Sequence, residues 1–140
     1  MHPIIWEKLP GMMHSIGLIA AHSFAELAGI TQDNIKWISG FATIAGWDYH
    51  GNWLSVTFIN NQPNAFIRRG TVPGAGNLGE HTVDIATYVE GLSGPIGTVR
   101  PFFRNNRIYL PFRFLFNAFG YSADFRLERD GQVVRVVALP

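Results

Sequence analysis

The stretch Phe41–Ile59 restricts this chain more than any other. Phe41–Asp48 and Trp53–Ile59 are short runs of strand-forming residues, with Tyr49-His50-Gly51-Asn52 between them. Gly and Asn tolerate positive φ, so the four residues suit a tight turn and the two runs a β-hairpin. In the second run Leu54, Val56 and Phe58 alternate with Ser55 and Thr57, the period of a strand with one buried face. If those three point inward, Trp53 points out.

Around this hairpin the rest of the chain reads as short elements separated by turn formers. Ile16–Gly29 is expected to be helical, because Ala21, Phe24, Ala25 and Ala28 recur at helical spacing and Gly29 stands where a C-cap glycine belongs. Thr31–Gly40 is a polar insertion with Trp37 and Ile38 embedded. Asn60–Asn64 is a turn leading to a strand around Ala65–Arg69, and Gly70–Gly79 is a glycine-rich loop. A strand or short helix covers His81–Glu90, and Gly91–Gly97 is loop again. Val99–Phe103 and Arg107–Leu110 form a hairpin about Asn105-Asn106.

Pro111 is expected in the first turn of the following helix, where its missing N–H costs nothing. Phe112, Leu115, Phe116 and Phe119 give that helix one apolar face, and Gly120 closes it. Two last strands, Ala123–Glu128 and Gln132–Ala138, flank Arg129-Asp130-Gly131.

Composition narrows the classes of function. With 140 residues, 47% hydrophobic and 15% charged, the chain folds, as one core or as two small units sharing one. A net charge of +1 gives no general attraction to nucleic acid or anionic membrane. Residues 68–140 hold nine arginines and no lysine, but acids alternate with them, so local ion pairs and solvated faces account for most of the pattern. The absence of cysteine excludes disulfides, thiolate nucleophiles and Cys-ligated metals. No run approaches the ~20 apolar residues of a membrane helix. Met1–Pro10 lacks the features of a signal peptide, which leaves either a cytoplasmic protein or a mature fragment whose export signal lies outside it.

Sliding the chain on itself so that Gly29 lies on Gly120 brings Ala21, Phe24, Ala25 and Ala28 onto Phe112, Leu115, Phe116 and Phe119. Each glycine-ended helix is followed by a hairpin. A degenerate helix-plus-hairpin half-repeat over residues 1–53, packed on a fuller domain over 54–140, is the expected organisation.

The segment Arg107-Ile108-Tyr109-Leu110-Pro111-Phe112-Arg113, with Asn117-Ala118-Phe119-Gly120 after it, resembles the strand–helix junction of the copper amine oxidase N-terminal-like domain family. Val56–Ile67 is similar to that family's opening hairpin and Thr82–Glu90 to its next strand. The chain departs from the pattern at Phe125-Arg126, where the family often has Trp-Asp; the first copy keeps Trp47-Asp48 but has Ile19-Ala20-Ala21-His22 where the Pro and Arg are expected. The resemblance implies an α+β fold, an antiparallel β-sheet curled around an α-helix. It also implies an extracellular or cell-wall setting in Gram-positive-type bacteria, as a module without the copper or quinone of the oxidase.

Enzyme chemistries find little footing. His2, His14, His22, His50 and His81 lack the spacing of metal ligands. Pro73-Gly74-Ala75-Gly76-Asn77-Leu78-Gly79 contains G-x-G-x-x-G, but in an antiparallel context it reads as a plain loop. Glu26, Asp48, Asp84 and Asp124 are the carboxylates available for acid–base work, and no motif pairs them. No G-x-S-x-G occurs.

The aromatic side chains, 14% of the chain, are more suggestive. Trp37, Tyr49 and Trp53 are candidates for flat faces that meet sugar rings or anchor a protein partner, or else they cover the edge of a small core. Arg100 and Arg107, with Arg104, form a basic cluster suited to anionic wall polymer, although some arginines near that junction, Arg113 above all, are expected to be structural.

The expected function is a non-catalytic extracellular module, secreted or cell-wall associated, for cell-envelope attachment or glycan binding. Its partner would be cell-wall polysaccharide or peptidoglycan, with no cofactor and no metal, no nucleic acid and no membrane insertion. The alternative is a structural spacer or protein-interaction module that self-associates through open strand edges.

Overall fold

Among the described residues, three antiparallel sheets pack with the helices Ala21–Ala28 and Phe112–Ala118 in an α+β arrangement in which strands predominate. A computed structural model describes the backbone of residues 4–7, 12–13, 18–86, 100–104, 107–128 and 131–138, and side chains within 20–26, 28–86, 100–103, 107–111 and 113–121. The expected loop Gly91–Gly97 and the turns Asn105-Asn106 and Arg129-Asp130 lie outside the described residues.

The largest sheet has the order β4 (Ile35–Ile38), β5 (Phe41–Trp47), β6 (Trp53–Ile59), β7 (Asn64–Gly70), β8 (Gly79–Asp84), a simple meander. Its register follows from the alternation of side chains. Ala42 and Ile44, then Leu54, Val56 and Phe58, then Ala65 and Ile67 are all buried, and the residues between them face outward. The Trp53–Ile59 strand therefore has the phase read from its sequence, with Trp53 outside.

Over the inner face lie α1 (Ala21–Ala28) and α2 (Phe112–Ala118). Phe58 meets Phe114 edge-on with centroids 5.7 Å apart, and Phe24 of α1 meets Phe116 at 5.0 Å and Phe119 at 5.5 Å. One core thus joins the sheet to both helices. The sequence suggests a single apolar face for α2, yet every residue from Phe114 to Phe119 is buried, because the sheet covers one side and α1 another.

Two elements begin later than expected. Leu18–Ala20 is a strand, β3, and α1 starts only at Ala21. The helical spacing of the preceding residues is overridden by pairing with β10 (Arg107–Pro111), a partner far away in the chain. Pro111 is the last residue of β10 rather than a helical one, and its φ of −60° and ψ of 112° keep it extended. The end of α1 is as read: Gly29 has φ 72°, and the Gly29 and Ile30 amides donate to the carbonyls of Glu26 and Ala25. Thr31–Gly40, unassigned in the sequence, is a 3-10 turn (Gln32–Asn34) followed by β4.

β3 and β10 are the middle strands of a sheet ordered β2 (Met12–Met13), β3, β10, β9 (Phe102–Arg104). Leu18 pairs with Pro111, Ile19 with Leu110 and Ala20 with Tyr109. The shift that lays Gly29 on Gly120 carries Leu18-Ile19-Ala20 onto Tyr109-Leu110-Pro111, so the pairing is symmetric about Ile19 and Leu110. Each of these strands runs straight into a helix. The third sheet joins β1 (Ile4–Glu7) to β12 (Gly131–Ala138), and β12 to β11 (Tyr121–Glu128).

The division between residues 53 and 54 falls at the start of β6, whose whole length pairs with β5 on the other side of it. The core likewise takes Phe24, Ala25 and Ile44 from one segment and Leu54, Ile67 and Phe114 from the other. The two segments are halves of one packed unit.

Candidate binding groove

Cross-strand register builds the outer face of the five-stranded sheet in rows, since directly opposed residues share a face. Ala45, Ser55, Arg68 and Glu80 make one row; Lys36, Thr43, Thr57, Phe66 and Thr82 make the next. Trp47 and Trp53 flank the first row, and Ile38, Phe41 and Ile59 flank the second. Small side chains therefore occupy the middle of the face and large ones its two ends. The outcome is a groove of about 300 Å3 floored by Thr43, Ala45 and Ser55, with Trp53 at one end and Asn34 and Lys36 along the β4 side. The Thr43 and Thr57 hydroxyls bond to each other at 2.9 Å.

The remaining wall is Arg68 with Pro73-Gly74-Ala75. Segment 71–78 folds back over the sheet: the Thr71 amide donates to Asn77 Oδ1 at 3.1 Å and the Leu78 amide to the Arg69 carbonyl at 3.0 Å. Two glycines permit this close return. A Cβ on Gly70 would collide with the Ala75 carbonyl, and one on Gly76 would lie 2.5 Å from Glu80 Oε1 and 2.6 Å from Arg68 Nε. Arg68 Nε donates to Glu80 Oε1 at 2.7 Å, so Gly76 rests against an ion pair. Of the G-x-G-x-x-G glycines only Gly76 is closely packed; Gly74 and Gly79 have open space and positive φ, and a strand, β8, rather than a helix follows directly.

Trp53 is half-buried and meets Trp47 edge-on, with centroids 5.2 Å apart and an interplanar angle of 85°. An edge-to-face pair fixes both indoles yet covers one face of only one ring. Trp47 stays 51% exposed.

Tyr49, the second aromatic singled out by sequence, belongs to a turn fastened from within. Asp48 is buried, and its Oδ1 accepts from the His50 and Asn52 amides, both at 2.9 Å. The Tyr49 amide donates to the Phe119 carbonyl at 2.8 Å, and its ring lies 5.5 Å from that of Tyr121. Burial, and then the neighbouring Tyr49 and Asp48, raise the Tyr121 phenol above its usual value. Tyr49 thus docks the β5–β6 turn on the end of α2, although its ring is still 48% exposed.

The other candidates lie elsewhere. Trp37 shares the inner side with Ala42 at the β4 edge and meets Phe103 edge-on at 6.4 Å. Arg100 donates to the Asn61 carbonyl at 3.3 Å, beside the bond from the Phe103 amide to Asn60 Oδ1. Arg107 is exposed and stands opposite Arg104 across the β9–β10 hairpin; the Arg104 side chain lies outside the described residues. Of the six residues proposed from sequence, the groove takes in Trp53 alone.

Of the candidate carboxylates, Asp48 is engaged by its turn, Glu26 is exposed on α1, and Asp84 ends β8; the Asp124 side chain lies outside the described residues. Among the described residues there is no cluster of three or more metal-ligating side chains, and no helix long and apolar enough to cross a membrane. No family model, curated protein or solved structure matches the chain.

Sequence reasoning missed Trp47, Lys36, Arg68 and the floor of small residues. The signal for Trp47 needed the exact register. Trp47 stands opposite Trp53 across a five-residue connection, 48–52, whereas the four-residue turn read from the sequence sets Trp47 opposite Leu54 and turns it inward.

Proposed function

We propose that the protein is a non-catalytic module that binds glycan through the outer face of its five-stranded sheet. The observation that carries this reading is the groove itself. Small polar side chains and open backbone lie beside a fixed pair of indoles, the mix of flat apolar surface and hydrogen-bonding groups that suits a sugar ring. The wider reading goes with it: a secreted or cell-wall setting, attachment to cell-wall polysaccharide or peptidoglycan, and kinship with copper amine oxidase N-terminal-like domains. On the same reading the chain holds two related strand–helix–hairpin units, the second with its sheet curled around its helix. The symmetric pairing of β3 with β10 supports the two-unit part.

Co-sedimentation with isolated Gram-positive cell walls tests the proposal. The native chain is expected in the pellet, Trp53→Ala to bind about tenfold more weakly, a loss near 1.4 kcal/mol, and Trp53→Phe to retain most of the binding. Native protein that pellets no more than an unrelated control would overturn it.

One observation favours self-association as a second reading. Ile38, at 70% exposure, Phe41 at 49% and Ile59 at 42% form an apolar row that ends on the edge strand β4. Such a row beside an open strand edge suits a second copy of the same strand. Light scattering that gives a monomer at every concentration removes this reading.

A further inference from the structure

We infer that the groove takes an acidic glycan, one whose carboxylate or phosphate groups meet Lys36 and Arg68 while a sugar ring lies on Trp53. This rests on the glycan reading above and adds the chemical class of the ligand.

Charge is the first reason. The groove lining includes two cationic side chains, Lys36 and Arg68, and no carboxylate. The nearest acid in the rows is Glu80, directly opposite Arg68 and already bonded to its Nε. That bond occupies one of the five donors of a guanidinium and sets the orientation of the group. The other four have no hydrogen-bond or ion-pair partner among the described residues. Lys36 is exposed, and among the described residues its ammonium makes no hydrogen bond or ion pair. An ammonium and a partly free guanidinium on either side of an uncharged floor favour an anion over a neutral ligand.

Geometry supplies the second reason. Lys36 lies on β4 and Arg68 on β7, three strand spacings apart, or roughly 14 Å between their backbones. A ligand that meets both cations runs across the strands, over Thr43, Ala45 and Ser55. That favours an oligomer with repeated acid groups over a single sugar. Uronate and phosphate groups share the chemistry required, and the two are separated by choice of probe.

The test is a titration of the full chain, followed by tryptophan fluorescence, with three probes: an oligogalacturonate, a neutral cello-oligosaccharide and a glycerol-phosphate oligomer. The oligogalacturonate is expected to bind at least about tenfold more tightly than the neutral sugar at low salt, and the preference should shrink as salt is added. Lys36→Gln alters an exposed side chain with no partner among the described residues, so the fold should be kept. It is expected to weaken acidic-probe binding about threefold, clearly more than it weakens binding of the neutral sugar. Glycerol phosphate that competes with oligogalacturonate would support anion recognition and extend it to phosphate. Equal affinity for acidic and neutral sugars, unchanged in Lys36→Gln, would overturn the acidic ligand and leave glycan binding standing. No binding of any probe would overturn both.

Discussion

At the scale of single residues, Asp48 shows how a surface turn becomes part of the frame. Its carboxylate holds the His50 and Asn52 amides, and the turn it shapes sends the Tyr49 amide to the end of α2. A buried acceptor of two amide bonds is worth more than a typical surface contact. Asp48→Ala should lower stability by about 2 kcal/mol in urea denaturation, and Asp48→Asn, which keeps the accepting oxygen, by less than half of that. Equal losses would mean the amide bonds to Oδ1 contribute little. The residue scale is also where sequence was least informative. The sequence leaves Tyr49 and Trp37 open between aromatic faces for a ligand and cover for the edge of the core, and each has a ring neighbour, Tyr121 or Phe103, distant in the chain. Nothing local announces such a neighbour.

Among the elements, those with a local pattern were legible. The β5–β6 hairpin, β7, the β9–β10 hairpin, α2 and the last two strands lie within a few residues of their expected places, because alternation, helical spacing and turn formers are written in consecutive residues. β3 was not, since a strand of three residues exists only through its partners, β10 above all, which lies far away in the chain. The groove was illegible for a related reason: its floor needs the register of β5 on β6, its sides need β4 and β7 beside them, and its wall needs segment 71–78 to fold back. That return makes a graded prediction. Alanine at Gly70 would strike the backbone of Ala75, whereas at Gly76 it would strike the ends of the Arg68 and Glu80 side chains. Side-chain ends swing aside cheaply and backbone does not. Gly70→Ala should therefore cost about 2–3 kcal/mol and Gly76→Ala about 1 kcal/mol or less, read from urea midpoints. The reverse order would show that the loop, rather than the ion pair, is the part that yields.

For the molecule as a whole, the shared core removes the independence that a boundary at residue 53 would confer. A chain of residues 54–140 lacks β3, α1, β4 and β5, so β6 loses one neighbour and Phe116 and Phe119 lose the packing of Phe24. Such a fragment should have no near-ultraviolet circular dichroism and should bind hydrophobic dye, as loosely packed states do. A cooperative urea transition with native-like near-ultraviolet bands would show that it folds alone. The union of β1 with β12 bears on how the protein is made. Ile4 finds Val136 and Glu7 finds Val133, so on the ribosome this strand waits for the whole stretch between β1 and β12 to be made before its partner emerges. Pairings so distant in the chain are slow to form. Until then Ile4-Ile5-Trp6 is an apolar strand without the neighbour it will have, the kind of segment on which nascent chains aggregate or engage a chaperone.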